Sequence, residues 1–130
     1  MLLPMLPLST NIMALLNGRN FKFLPIGNFL VADLSEEPDL FGQLPVGTYG
    51  MESVLFGQRT ESHIHDFPSF YLTESLDIEC NGETSSLPRR AVTLVLPGLP
   101  HSWKPQNKQT GAVGSIDPRH DRQKIVPDEI

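Results

Sequence analysis

Three histidines are the residues of this sequence most suited to chemistry. One residue separates His63 from His65, so on a β-strand their side chains point to the same face. A third, His101, ends a Pro-Gly-x-Pro turn that follows an apolar run. If the face with His63 and His65 lines the interior of a barrel, this turn can carry His101 back into that interior. Neutral imidazoles are ligands for Zn, Fe, Ni or Cu. The alternative is that the histidines are hydrogen-bonding groups of an ordinary pocket.

Two aromatic residues are candidates for the wall of such a site. Trp103 follows the third histidine and could stack on a sugar or cap the mouth of a barrel, the alternative being a core or interface tryptophan. Tyr71 is predicted as a ligand-contacting wall residue. His120 lies in a charged stretch and is predicted to be solvated. No general base is evident beside the three histidines, so no catalytic residue is assigned.

The elements that position these residues are predicted to be β-strands. Seven short runs rich in β-branched and aromatic residues alternate with Gly, Pro, Asn or Asp, a pattern typical of an antiparallel sandwich or barrel. The runs are 21–24, 28–34, 49–56, 67–73, 76–80, 92–96 and 111–116. Asn81-Gly82 predicts a type I′ turn that joins the strand ending at Cys80 to a further strand beginning near Thr84.

The two ends of the chain differ from its middle. Residues 1–20 are apolar and contain a predicted short helix that begins at Thr10 or Asn11 and ends at Gly18. Residues 21–116 form the predicted barrel, and residues 117–130 form a charged tail that is expected to be extended or partly disordered, unless it wraps a neighbouring subunit. The apolar N-terminal segment predicts a homodimer.

Composition limits the classes of function. The chain has 130 residues, of which 39% are hydrophobic and 19% charged, so it predicts one folded domain rather than a disordered segment. Its net charge of −5 argues against nucleic acid or an anionic membrane as a partner. The single cysteine, Cys80, excludes an intramolecular disulfide and is predicted to be buried in a strand. With no signal peptide or membrane span recognisable, a cytoplasmic location is expected.

The order of the segments resembles the two barrel motifs of the cupin superfamily, and within it the N-terminal ligand-binding domains of AraC-type regulators. The resemblance covers residues 50–104 well and 21–116 loosely. Its motifs are His63-Ile64-His65, Phe70-Tyr71-Leu72, Leu76-Asp77-Ile78, Asn81-Gly82-Glu83, Val92-Thr93-Leu94-Val95-Leu96 and Pro97-Gly98-Leu99-Pro100-His101-Ser102-Trp103. It implies an all-β, cupin-type β-barrel or jelly roll with a short N-terminal helix, whose interior holds a metal, a sugar or another small molecule.

The resemblance carries a metal site over to His63, His65 and His101, which match the family's histidine ligands. It implies one divalent transition metal, Fe, Ni or Zn, as the cofactor. A metal-free pocket, in which the histidines hydrogen-bond a small molecule, stays open as the alternative.

The chain departs from the family pattern at the acidic ligand. That ligand would fall at Ser69 or Phe70, and neither is acidic. Asp66 lies on the opposite face of the strand and Glu74 lies beyond its apolar part, so neither replaces it. Two arginines at 89–90 stand where the second motif has a glycine–acid turn; they are predicted to be a solvated turn, or to pair with an anionic ligand.

Two functions of different classes follow from these residues and motifs. The first is a sensor-like, small-molecule-binding single-domain cupin, with or without the metal. The second is a small metal-dependent enzyme, similar to three-histidine dioxygenases or isomerases. A structural role with an unused pocket is the third interpretation. No basic recognition helix is present, so no direct nucleic-acid binding is expected, whether the chain is a stand-alone domain or a piece of a longer regulator.

Overall fold

The structure is a computed structural model, which describes residues 12, 16, 18, 19, 21–44, 46, 47, 50–116 and 123–128. The elements within these residues are β1 (Leu24–Ile26), β2 (Phe29–Asp33), α1 (Pro38–Gln43), β3 (Glu52–Val54), β4 (Gln58–Thr60), β5 (Ser69–Glu74), β6 (Leu76–Cys80), β7 (Glu83–Ser86), β8 (Arg90–Val95), β9 (Ser102–Pro105), β10 (Gly111–Ser115) and β11 (Ile125–Pro127).

These strands form three antiparallel sheets. The largest has the order β1-β2-β8-β5-β10-β3, the second β7-β6-β9, and the third pairs β11 with β4. The prediction of an all-β fold is therefore confirmed, and the hydrogen bonds of the described strands leave the three sheets separate rather than joined into one closed ring.

Two apolar cores lie on the two faces of the six-stranded sheet. The first contains Tyr71 from β5, together with Ile78 from β6 and Trp103 from β9, so it lies between the larger sheet and the three-stranded sheet. The second contains Phe70 and Leu72, the neighbours of Tyr71 along β5. Successive side chains of a strand point to opposite faces, which is why β5 is buried throughout most of its length. Its continuous apolar run reflects burial on both sides.

The predicted turn at Asn81-Gly82 is confirmed. Asn81 has a φ of 51° and Gly82 a φ of 81°, as a type I′ turn requires, and Cys80 pairs directly with Glu83 across the hairpin. Cys80 is buried in its strand, as predicted. The corner between β5 and β6 is a single residue, Ser75, which also has a positive φ.

Part of the apolar N-terminal segment packs within the chain itself. Ile12 and Leu16 are helical and fully buried in the second core, whereas the remaining residues of the predicted N-terminal helix before Gly18 lie outside the described residues. Gly18 is itself helical and does not have the left-handed φ predicted for the helix end. The homodimer stays a prediction. In the part of the chain that the structure describes, no helix combines the length and the apolar composition needed to cross a membrane.

Three strands near the histidines were not predicted from the sequence. Strand β4 lies between the predicted runs 49–56 and 67–73. Strand β9 follows His101 directly and pairs with β6. Strand β11 lies in the predicted C-terminal tail and pairs with β4, where the Asp128 N–H also donates to the Gly57 carbonyl at 2.9 Å. Residues 117–122 and 129–130 lie outside the described residues. Residues 123–128 are extended, but they are part of the folded structure.

Candidate metal centre

A short antiparallel bridge brings the histidines together. The His63 N–H donates to the His101 carbonyl at 3.2 Å, and the His101 N–H donates back to the His63 carbonyl at 3.1 Å. The Gly98 N–H donates to the His65 carbonyl at 2.9 Å, which fastens the Pro-Gly-x-Pro turn onto the same segment. Gly98 has a φ of 83°, a conformation that glycine adopts without strain. The predicted return of His101 toward the His-x-His pair is confirmed.

The three imidazoles form one compact group. One ring nitrogen from each histidine lies within 4.8 Å of the other two. The ring centroid of His63 lies 4.6 Å from that of His65 and 4.2 Å from that of His101. His101 is fully buried, whereas His63 and His65 are half-buried, so the group opens toward the surface on the side of the first two histidines.

Main-chain carbonyls fix the tautomers of two of the rings. Nδ1 of His63 lies 3.2 Å from the Glu61 carbonyl, and Nδ1 of His101 lies 3.0 Å from the Leu99 carbonyl. A carbonyl oxygen only accepts, so each Nδ1 is the donor and each neutral ring presents the lone pair of its Nε2. Histidines that bind metals characteristically donate their other ring N–H to a carbonyl or carboxylate in this way.

All three Nε2 atoms surround one hydroxyl group, that of Tyr71. Its oxygen lies 3.0 Å from Nε2 of His65, 3.1 Å from that of His101 and 3.4 Å from that of His63. The hydroxyl has one proton, so it can donate to only one of the two lone pairs that the fixed tautomers direct at it. An electron-rich cluster of this kind is suited to a cation, and its donor set therefore fits a transition metal.

Trp103 lies behind this group rather than at its mouth. It is fully buried, and its ring centroid is 5.1 Å from that of Tyr71 in an edge-to-face arrangement. Its main-chain N–H donates to the buried Thr60 hydroxyl at 2.9 Å, while its indole Nε1 has no hydrogen-bond partner. This position corresponds to the core alternative, and the predicted contact of Trp103 with a ligand stays a prediction.

Charged residues hold the strands next to the histidines. Arg59 on β4 donates to the Glu79 carboxylate at 2.7 Å and to the Ser102 hydroxyl at 2.5 Å, and Ser102 adjoins His101. The Arg59 guanidinium lowers the pKa of Glu79 below its usual 4.5, and the Lys104 ammonium acts in the same direction against the opposing effect of burial. Asp128 lies 3.6 Å from Arg59, so the C-terminal strand joins the network.

No carboxylate joins the three histidines among the described residues. Glu74 pairs with Arg90 at 3.3 Å on the far end of β5, and Ser69 and Phe70, the positions where the family pattern places an acid, are buried. Asp66 lines a surface depression beside His65 without belonging to the group.

Two surface depressions adjoin the histidines, and the exposed Ile64 lines both of them. The smaller measures about 300 Å³ and is lined by Glu61, Ser62, His63, Ile64, His65, Gln123 and Lys124. The other is lined by Ile64, His65, Asp66, Pro97 and Gly98. A small molecule can therefore approach the half-buried imidazoles directly from solvent.

Comparison of the chain with protein-family models, with curated proteins and with solved structures finds no match. Its function therefore has to be inferred from the residues of the site.

Two features of the site were not predicted from the sequence. Tyr71 was predicted only as a wall residue, although it is the one residue of its run that combines a hydroxyl with a long side chain. Gln123 lines the smaller depression and is buried, with its side-chain carbonyl lacking a hydrogen-bond partner. No local signal marks Gln123, because it reaches the site only through the pairing of β11 with β4.

Proposed function

We propose that this protein is a cupin-like domain that binds a small molecule at a divalent transition metal held by His63, His65 and His101. The observation that carries the proposal is that the Nε2 atoms of all three histidines lie within 3.4 Å of one hydroxyl oxygen, that of Tyr71, and that main-chain carbonyls fix the tautomers of two of the rings. A bound metal would supply a Lewis acid that attracts an oxygen or nitrogen atom of the ligand. The half-buried faces of His63 and His65 leave that side accessible.

The cupin assignment rests on the sequence motifs together with the arrangement of the strands. Antiparallel sheets pack across a shared core, and the histidines of the two motifs come from separate parts of the chain to one place. The similarity to AraC-type ligand-binding domains supports a sensor, in which the ligand changes how the domain packs against a partner. Ile64, which is 61% exposed and lines both depressions, would contact an apolar part of the ligand.

A metal-dependent enzyme is the second candidate. It is favoured by the half-buried His63 and His65, which leave one side of a bound metal open to a substrate. The two functions differ in outcome: an enzyme would consume the small molecule that it binds, whereas a sensor would release it unchanged.

The test is the metal content of untagged protein, measured by elemental analysis after purification and after reconstitution with Fe²⁺, Ni²⁺ or Zn²⁺. The wild type is expected to hold about one metal per chain, and His63→Ala and His101→Ala are each expected to lose it. His120→Ala is the matched control, because it removes the only other histidine in the sequence and should leave the metal content unchanged. A wild type that stays metal-free after reconstitution would refute the proposal.

A further inference from the structure

We infer that the Tyr71 hydroxyl oxygen is the fourth metal ligand and supplies the negative charge that the missing family carboxylate would have provided. This inference rests on the proposed three-histidine metal site and extends it to a residue on a different strand. It defines a site of three imidazoles and one phenolate, to which the small molecule would add as a fifth ligand on the side of His63 and His65.

The distances support coordination by this oxygen. In a tetrahedral site with metal–ligand bonds of about 2.0–2.1 Å, neighbouring ligand atoms are separated by roughly 3.3 Å. The Tyr71 oxygen lies 3.0, 3.1 and 3.4 Å from the three Nε2 atoms, which matches three edges of such a tetrahedron. One ring nitrogen from each histidine lies within 4.8 Å of the other two, and metal binding would draw the three nitrogens closer together.

The oxygen is held in place independently of any metal. Tyr71 is fully buried on β5, with hydrogen-bonded strands on both sides, and its ring packs edge-to-face against the rings of His101 and Trp103. A buried aromatic side chain of this kind has little freedom to rotate away from the group. Because the Tyr71 side chain is already ordered by folding, metal binding does not have to restrict its rotation, and this favours binding.

Charge also favours an anionic ligand here. Three neutral imidazoles leave both positive charges of a divalent ion uncompensated in a partly buried site, which is costly. No carboxylate of the described residues belongs to the group. When the phenol oxygen coordinates, its proton leaves to the solvent, and the phenolate removes one of the two charges.

The experiment uses Cu²⁺ as the probe, because it binds nitrogen and oxygen ligands tightly and phenolate coordination to it gives a visible charge-transfer band. One equivalent is added to the untagged protein, and the band and the affinity are both measured. The chain has only two tyrosines, so Tyr49→Phe is the matched control for Tyr71→Phe. The band is expected in the wild type and in Tyr49→Phe, and is expected to disappear in Tyr71→Phe, together with a tenfold to hundredfold loss of affinity.

The outcomes separate this inference from the proposed function. A band retained in Tyr49→Phe identifies Tyr71 as its source even if Tyr71→Phe fails to fold, because no other tyrosine remains. Cu²⁺ that binds the wild type but not His101→Ala, without a phenolate band, refutes Tyr71 as a ligand and leaves the histidine site intact. Cu²⁺ that does not bind, or that binds His101→Ala as well as the wild type, refutes both.

Discussion

The corner that leads from β5 to β6 allows a sharp test of how tightly the strands pack. Gly111, at the start of β10, lies against this corner, and a methyl group added there would collide with the side chain of Leu76. It would also lie 2.8 Å from the Ser75 carbonyl oxygen and 3.0 Å from the Glu74 carbonyl oxygen. Leu76 is fully buried and the other two atoms are main chain, so none of the three can move aside cheaply.

The size of the effect follows from two opposing terms. Gly111 does not have a positive φ, so replacement by Ala causes no backbone strain and restricts the unfolded chain, which stabilises by about 0.4–1 kcal/mol. Overpacking of a tight core costs about 1–3 kcal/mol, and contact with main-chain atoms favours the upper end of that range. The net expectation for Gly111→Ala is a loss of about 2 kcal/mol.

The assay is urea unfolding. The change in stability is measured as the shift of the unfolding midpoint, provided that the dependence of the unfolding free energy on urea concentration has the same slope in both proteins. The matched control is Gly42→Ala, the same substitution within helix α1, where an added Cβ meets no atom within 4 Å. It should stabilise the protein by about 0.5–1 kcal/mol, because alanine has the higher helix propensity. Opposite signs for the two variants are expected; a Gly111→Ala protein as stable as the wild type would show that the corner is not packed as described.

Three further predictions concern the charges and polar groups around the site. Glu79→Gln should cost about 1 kcal/mol at neutral pH. Because Arg59 lowers the pKa of Glu79, this contribution is present above pH 4.5 and is lost as the pH falls through the lowered value; a difference in urea midpoint that persists in strong acid would contradict this. Thr93→Val removes a buried hydroxyl without a hydrogen-bond partner and should stabilise by about 1 kcal/mol in urea unfolding, whereas a loss would mean that the hydroxyl is bonded. The Gln106 side-chain amide donates to the main-chain carbonyls of Leu76 and Leu87 at 2.8 and 2.7 Å, and Gln106→Leu removes both hydrogen bonds. The variant should have a lower thermal unfolding midpoint, by an amount equivalent to about 2 kcal/mol, and an unchanged midpoint would indicate that water replaces the amide.

The antiparallel β fold was predictable because its signals are local. Turn residues at short intervals marked the ends of most strands, and Asn81-Gly82 specified one hairpin completely. Strands β4, β9 and β11 were missed because their sequences do not predict strands by themselves. Ser102–Pro105 is short and half polar, and Ile125–Pro127 lies among charged residues; both become strands through pairing with β6 and β4.

The histidine group was predictable from spacing, whereas its relation to the tyrosine was not. The spacing of His63 and His65 predicted that their side chains lie together. The predicted strand is absent there, because only His63 pairs, through an isolated bridge to His101. The turn at 97–100 indicated where His101 returns. The sequence does not predict that Tyr71 on β5 lies next to these rings, because the position of β5 depends on the order of the strands in the sheet. Contacts between residues eight and thirty positions apart, such as those of Tyr71 with His63 and His101, therefore need the three-dimensional structure.

Strand geometry explains which position of β5 can serve the histidines. Tyr71 packs in the first core, and Phe70 and Leu72 pack in the second, so an acid at position 70 would point away from the imidazoles. Position 69 has the same parity as 71, but its serine is short and its hydroxyl donates to the Phe67 carbonyl at 3.4 Å. A side chain at 71 needs the length of tyrosine to place an oxygen among three Nε2 atoms. The Cu²⁺ experiment tests whether the phenol oxygen at this position is a metal ligand.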